Sequence, residues 1–130
     1  MTPSELMELA QGARLQAYAP YSGFRVGAAL LCGDGTVYSG CNIENAAYSP
    51  SLCAERVAFA RAIADGRRDF VAIAVCGGKD TASAPCPPCG VCRQVMAEFC
   101  GPDFTVYTPD GKGGISATPL SQLLPQSFRL

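Results

Sequence analysis

Apolar residues recur along this chain with two periods, and the switches between them outline its secondary structure. Leu6, Leu9, Ala10, Ala13 and Ala17 fall at helical spacing behind Thr2-Pro3-Ser4-Glu5. There Thr2 suits a cap, Pro3 the first helical position and Glu5 a capping box, and the helix should stop before Pro20. Two strand-like runs, 24–31 and 36–43, flank Gly33-Asp34-Gly35, which is a hairpin signal. The pattern then predicts a helix over 52–64 that ends at Gly66, and a continuous apolar strand over 70–76 of the kind covered on both faces. Past the Gly/Ser/Pro-rich residues 77–88 it predicts a helix over 89–100, stopped by Gly101-Pro102, and a strand over 104–108. A short strand near 115–118 and a short helix near 120–124, closed by Pro125, complete the chain.

Strand, helix, strand occurs twice in this order, which implies right-handed parallel crossovers. The hairpin adds antiparallel pairing. The expected fold is therefore α/β: a three-layer α-β-α sandwich around a mixed five-stranded sheet, built as one domain over residues 1–130. No internal repeat or low-complexity linker interrupts it.

With 48% hydrophobic and 16% charged residues, 130 residues suffice for one buried core. The net charge is −1 and the ten basic residues are scattered, so the electrostatic footprint of a nucleic-acid binder is missing. A small, weakly polar ligand fits better. No run approaches the roughly 20 apolar residues that span a bilayer, and Met1-Thr2-Pro3-Ser4-Glu5 carries no basic start to a leader, so a cytoplasmic protein is expected.

Eight cysteines and no histidine change the picture most. An even cysteine count invites a disulfide framework, but a reducing cytosol argues against one. Cys32, Cys41, Cys76 and Cys100 lie in or beside apolar runs, where free cysteine packs as a small hydrophobe. The other four cluster in Cys53-Ala54-Glu55 and in Pro85-Cys86-Pro87-Pro88-Cys89-Gly90-Val91-Cys92. A catalytic zinc needs three protein ligands, an open fourth position and a nearby proton carrier that is not a ligand. Without histidine, thiolates must bind the metal and a carboxylate must carry the proton, which points to Glu55.

Both cysteine groups stand at expected helix starts, where free N–H groups favour thiolates. Cys89 and Cys92, three apart, share one face of a helical turn. Cys53 and Glu55, two apart, would diverge in regular helix, so Cys53 must occupy the cap. Cys86 and Cys89 have the same spacing as Cys89 and Cys92, but Pro87 and Pro88 fit a helical turn poorly, which favours the latter pair. Cys86, Cys89 and Cys92 have the spacing that begins an iron–sulfur pattern, but its next cysteine is absent, since position 96 is Met96. Three thiolates leave a zinc site with a formal charge of −1, so positive partners are needed, and Arg56 and Arg93 stand beside the ligands.

The pairing of Cys53-Ala54-Glu55 with Pro88-Cys89-Gly90-Val91-Cys92-Arg93-Gln94 resembles the zinc-dependent cytidine deaminases of the small homotetrameric type. Residues 19–24 (APYSGF), 40–49 (GCNIENAAYS) and 123–128 (LLPQSF) resemble the same family in the same order, so the likeness covers nearly the whole chain. It implies one zinc per subunit, and hydrolysis of cytidine and 2′-deoxycytidine to the uridine forms and ammonia, with Glu55 as proton shuttle. It further implies that Asn42 and Glu44 hold the ribose, that Phe24 lies against the base, and that the Ala54 backbone meets the base edge. Ala46, Tyr48 and Phe128 match positions supplied by neighbouring subunits. Two departures stand out: the extra thiol Cys86, and Ser51-Leu52 where a more polar pair would be expected. Two other readings stay open at this stage, a deaminase of another aminopyrimidine nucleoside and a structural zinc module closed by Cys53, Cys86, Cys89 and Cys92.

Overall fold

The computed structural model describes residues 1–130. Its first helix, α1 (Pro3–Arg14), starts as the sequence demands: Thr2 Oγ1 accepts from the Glu5 amide at 3.1 Å, and Glu5 Oε2 accepts from the Thr2 amide at 2.7 Å. It ends sooner than expected, because the Tyr18 amide is drawn to the Asn42 carbonyl at 2.9 Å and the chain leaves the helix for the sheet. The buried stripe is correspondingly Leu6, Met7, Ala10 and Arg14, while Leu9 is exposed and Ala17 lies past the helix.

Five strands follow: β1 (Arg25–Cys32), β2 (Val37–Cys41), β3 (Phe70–Gly78), β4 (Thr105–Pro109) and β5 (Ile115–Pro119). They form one mixed sheet in the order β2-β1-β3-β4-β5. Strand β1 is antiparallel to both neighbours, with Ala28 opposite Gly40 and Val75. Strands β3 and β4 are parallel, and β4 and β5 antiparallel. Helix α2 (Ala54–Ala64) joins β2 to β3, and α3 (Gly90–Phe99) joins β3 to β4. Each crossover links parallel strands, the first across the intervening β1. Helix α4 (Leu120–Leu123) closes the fold.

Helices cover both faces of the sheet. On one face Leu6, Met7 and Ala10 of α1 pack on Ala29, Ala72, Ala74 and Cys76. On the other, Ala58 and Phe59 of α2 and Met96 of α3 pack on Ala28, Leu30, Ile73 and Val75. Phe59 sits among the rings of Phe70, Phe99 and Phe104, with centroids 5.2–6.4 Å away. All eight cysteines are free, and Cys32, Cys76 and Cys100 are buried as apolar side chains.

Two glycines set how closely the helices approach. A Cβ on Gly27 would lie 2.0 Å from the Ala10 carbonyl oxygen, and one on Gly40 would lie 2.3 Å from the Ala54 oxygen and 2.6 Å from the Ala58 amide. Backbone on backbone cannot yield by a rotamer change. Gly40→Ala should therefore push the first turns of α2 off the sheet, lowering stability by about 3 kcal/mol or more. Because α2 opens at the candidate ligand Cys53, bound zinc should fall as well; urea unfolding and metal analysis of one preparation would check both.

Candidate active site

The helix starts bring the sulfurs together. Cys53 caps α2 with φ −74° and ψ 153°, outside helical geometry as its spacing from Glu55 demands. Cys89 caps α3 in the same extended conformation, φ −70° and ψ 168°, and Cys92 lies one turn into that helix. The Sγ atoms of Cys53 and Cys89 are 3.7 Å apart, and those of Cys89 and Cys92 are 3.5 Å apart. All three lie within 4.8 Å of one another. A tetrahedral zinc with bonds of about 2.3 Å spaces its sulfurs about 3.8 Å apart, so this cluster fits the ion with little movement. Neither capping cysteine bonds the amides of its own helix, which leaves both sulfurs free for a metal.

Cys86 is not in the cluster. It lines the adjoining cavity, and burial pushes its thiol up to about 11, which disfavours the ligating thiolate form. Three candidate ligands with Cys86 left out suit a catalytic layout, which keeps a fourth position for water, better than a closed structural one.

Charge around the sulfurs is arranged unequally. A hydrogen bond from Cys92, then the Arg56 guanidinium, hold Cys53 at about 5, well below the usual thiol range, against the opposing effect of burial. Arg56 Nη2 donates to Cys53 Sγ at 3.5 Å and to the Ser51 carbonyl at 3.4 Å, and its buried Nε has no partner. The expectation for Arg93 needs correction. Its Nε donates to the Pro88 carbonyl and its Nη1 to the Leu123 carbonyl, both at 2.8 Å, and neither reaches a sulfur. One residue on from Cys92 is about 100° around the helix, which turns Arg93 toward α4. It braces the residue before Cys89 instead of neutralising the cluster.

Glu55, in the first turn of α2, is only 4% exposed, and burial raises its carboxyl to about 7. A carboxyl poised near neutrality both takes and gives protons readily. It faces a cavity of about 270 Å³ that Cys53, Ala54, Cys86 and Cys89 also line, with Asn42 and Glu44 among its walls. Asn42 Oδ1 accepts from the Val26 amide and its Nδ2 donates to the Phe24 carbonyl, each at 2.8 Å. One amide hydrogen and one lone pair remain for a ligand. Glu44 accepts from the Tyr21 and Ser22 amides at 2.9 and 3.1 Å and from the Ser22 hydroxyl, contacts that depress its pKa. Ser22 is thus the residue that orients Glu44; sequence reasoning assigned it no role, and only its place in the 19–24 run marked it.

The Phe24 ring and the Cys86 thiol converge over Gly77, where an added Cβ would lie 2.9 and 3.0 Å from them. Phe24 is 38% exposed at the edge of this region. Ala46, Tyr48 and Phe128 are exposed and line no part of this cavity within the single chain. Tyr48 is held at φ +62°, a costly conformation for a non-glycine residue, with 78% of its surface in solvent.

A trio of clustered cysteine sulfurs, a buried carboxyl beside it and a small cavity above, set at helix starts on a mixed sheet, define a zinc-dependent hydrolytic centre of an α/β enzyme. Residues 1–108 match the model of the cytidine and deoxycytidylate deaminase zinc-binding region, and the chain belongs to that family. It is 52% identical over 128 residues to the cytidine deaminase of Sporosarcina psychrophila, covering 98% of this chain and 92% of that one. It is 54% identical over 123 residues to that of Halalkalibacterium halodurans, covering 95% and 91%. The crystal structure of the cytidine deaminase from Burkholderia pseudomallei superimposes with a TM-score of 0.90 at 48% identity, covering 98% of this chain and all of that one.

Proposed function

We propose that this chain hydrolyses the 4-amino group of cytidine and 2′-deoxycytidine, giving the uridine nucleosides and ammonia for pyrimidine salvage. The observation that carries this reading is the buried Glu55 carboxyl beside three clustered sulfurs, in a cavity whose walls also include the Asn42 amide and the Glu44 carboxylate. Cys53, Cys89 and Cys92 would hold the zinc, which when bound supplies the Lewis acid that brings a water into the neutral pKa range. Glu55 takes a proton from the attacking water and passes it to ring N3, then takes the second proton from the hydroxyl now on C4 and delivers it to the departing amine, which leaves as ammonia while C4 keeps the oxygen as a carbonyl. One carboxyl so serves as base and then acid. Arg56 holds Cys53 in place and offsets its charge, while Asn42 and Glu44 offer their remaining acceptors and donor to ribose hydroxyls. Phe24 lies against the base, and the Ala54 backbone meets its edge.

The active assembly is a cytoplasmic homotetramer of single-domain subunits in which Ala46, Tyr48 and Phe128 complete the site of a neighbouring copy. Their exposure supports this, as does the strained backbone at Tyr48, which displays a large ring to solvent in the single chain. No helix is long and apolar enough to cross a membrane. Ultraviolet absorbance of the zinc-loaded protein with cytidine, deoxycytidine and free cytosine tests the reading. Both nucleosides should be converted with one ammonia each, and free cytosine, lacking the sugar that Asn42 and Glu44 engage, should react at least about a hundredfold more slowly. Failure to convert either nucleoside would sink the assignment.

A further inference from the structure

Phe128 is followed by only two residues, Arg129 and Leu130, in a stretch where fraying is the ordinary state. Here the last residues are tied to α3 at three points. Arg93 Nη1 donates to the Leu123 carbonyl at 2.8 Å, and Gln94 Nε2 to the Phe128 carbonyl at 3.4 Å. Arg129 donates through Nε to the Ala97 carbonyl at 2.6 Å and through Nη2 to the Cys100 carbonyl at 2.8 Å. Between the first tie and the others the chain turns at Gln126, which sits at φ +56° directly after Pro125. Every one of these bonds goes to or from backbone, and the Phe128 ring is left 66% exposed. The tail is ordered without burying its own aromatic side chain.

Arg129 is the strongest of the three ties. The last turn of α3 contains no basic residue, and its final carbonyls have no partners within the helix. A guanidinium there makes two charge-assisted bonds and sits at the negative end of the helix dipole. The cation missing from the helix is supplied by the tail.

We infer that Arg129 is a positioning residue, which latches the C-terminal segment to the end of α3 so that Phe128 is held ready for the active site of a second copy of this chain. This rests on the reading of Phe128 given above. The fraction of tails in the latched form then enters the apparent substrate affinity directly, because a site is complete only when its neighbour's Phe128 is in place. Turnover on a complete site is unaffected.

The test compares Arg129→Met, Arg129→Lys, Phe128→Ala and the double variant Phe128→Ala/Arg129→Met in the zinc-loaded, assembled protein. Phe128→Ala should raise KM for cytidine, and Arg129→Met should raise it about five- to tenfold, with kcat within about twofold and zinc content, Tm and solution mass unchanged. Hydrogen exchange of residues 126–130 should quicken in Arg129→Met. Lysine, which reaches one carbonyl but lacks the fork, should restore part of the loss. The double variant should be no worse than Phe128→Ala alone, since Arg129 acts only through Phe128. A wild-type KM in Arg129→Met beside a raised one in Phe128→Ala would overturn the latch, as would multiplying effects in the double variant. So would loss of zinc or of assembly in Arg129→Met. An unchanged KM in Phe128→Ala removes the underlying reading of Phe128 and the latch with it, and leaves the zinc chemistry untouched.

Discussion

Glu55→Gln should cut turnover of cytidine by about 10³–10⁴-fold while the protein keeps its zinc and its fold. The side chain is isosteric, so the space at the first turn of α2 stays filled and the sulfur cluster is undisturbed. What disappears is the capacity to accept a proton. Glu55 is 4% exposed, and burial has already driven its carboxyl to about 7, so the native fold bears a desolvation cost whenever the group ionises. A neutral amide avoids that cost, and Tm should hold or rise slightly. Steady-state absorbance, metal analysis and a thermal melt on one preparation check all three. Activity within tenfold of the parent would show that the proton moves through another group, and the cavity offers one other carboxyl, that of Glu44.

The secondary structure was largely legible because local signals agreed with one another. The capping box at Thr2 and Glu5 was read correctly, as were the doubly covered strand β3 and the cap position of Cys53, since each depends on neighbours in sequence. Contacts between distant parts of the chain were not legible. The insertion of β1 between β2 and β3 is a long-range pairing that no local pattern encodes. The direction of Arg93 depends on α4, thirty residues later, whose Leu123 carbonyl captures it. Adjacency to a ligand located that arginine but did not aim it. The metal centre itself was readable because the chemistry restricts the choices sharply: with no histidine in the chain, only cysteine spacing and helix starts remained to choose among. Asn42 and Glu44 are proposed as sugar contacts from family likeness alone, whereas their structural work, pinning the 21–26 backbone, emerges only in three dimensions.

Removal of the metal should abolish activity, and the loss should separate Cys92 from Cys86. Cys92 is 1% exposed between α3 and the sheet, with its sulfur in the cluster, so Cys92→Ser replaces a soft ligand with a poor one at no great change in volume. Zinc content should fall to near zero and activity by at least about a thousandfold. Cys86→Ser should retain full zinc, because Cys86 is outside the cluster and burial keeps its thiol protonated. Parent protein stripped with a chelator should lose activity, regain it when zinc is returned, and melt several degrees lower while apo, since a ligand bound only by the native state stabilises that state. The protonation of the sulfurs sets the sign of the pH effect. Without a bound metal, the hydrogen bond from Cys92 and the Arg56 guanidinium favour the ionised form of Cys53, while the neighbouring sulfur and burial favour the protonated form of Cys92, so binding must expel protons, and apparent zinc affinity should rise with pH across the neutral range. Competition with a chromogenic chelator at several pH values measures this. Equal zinc loss from Cys86→Ser and Cys92→Ser would instead mean four sulfurs around the metal, leaving no position open for water and no hydrolytic centre.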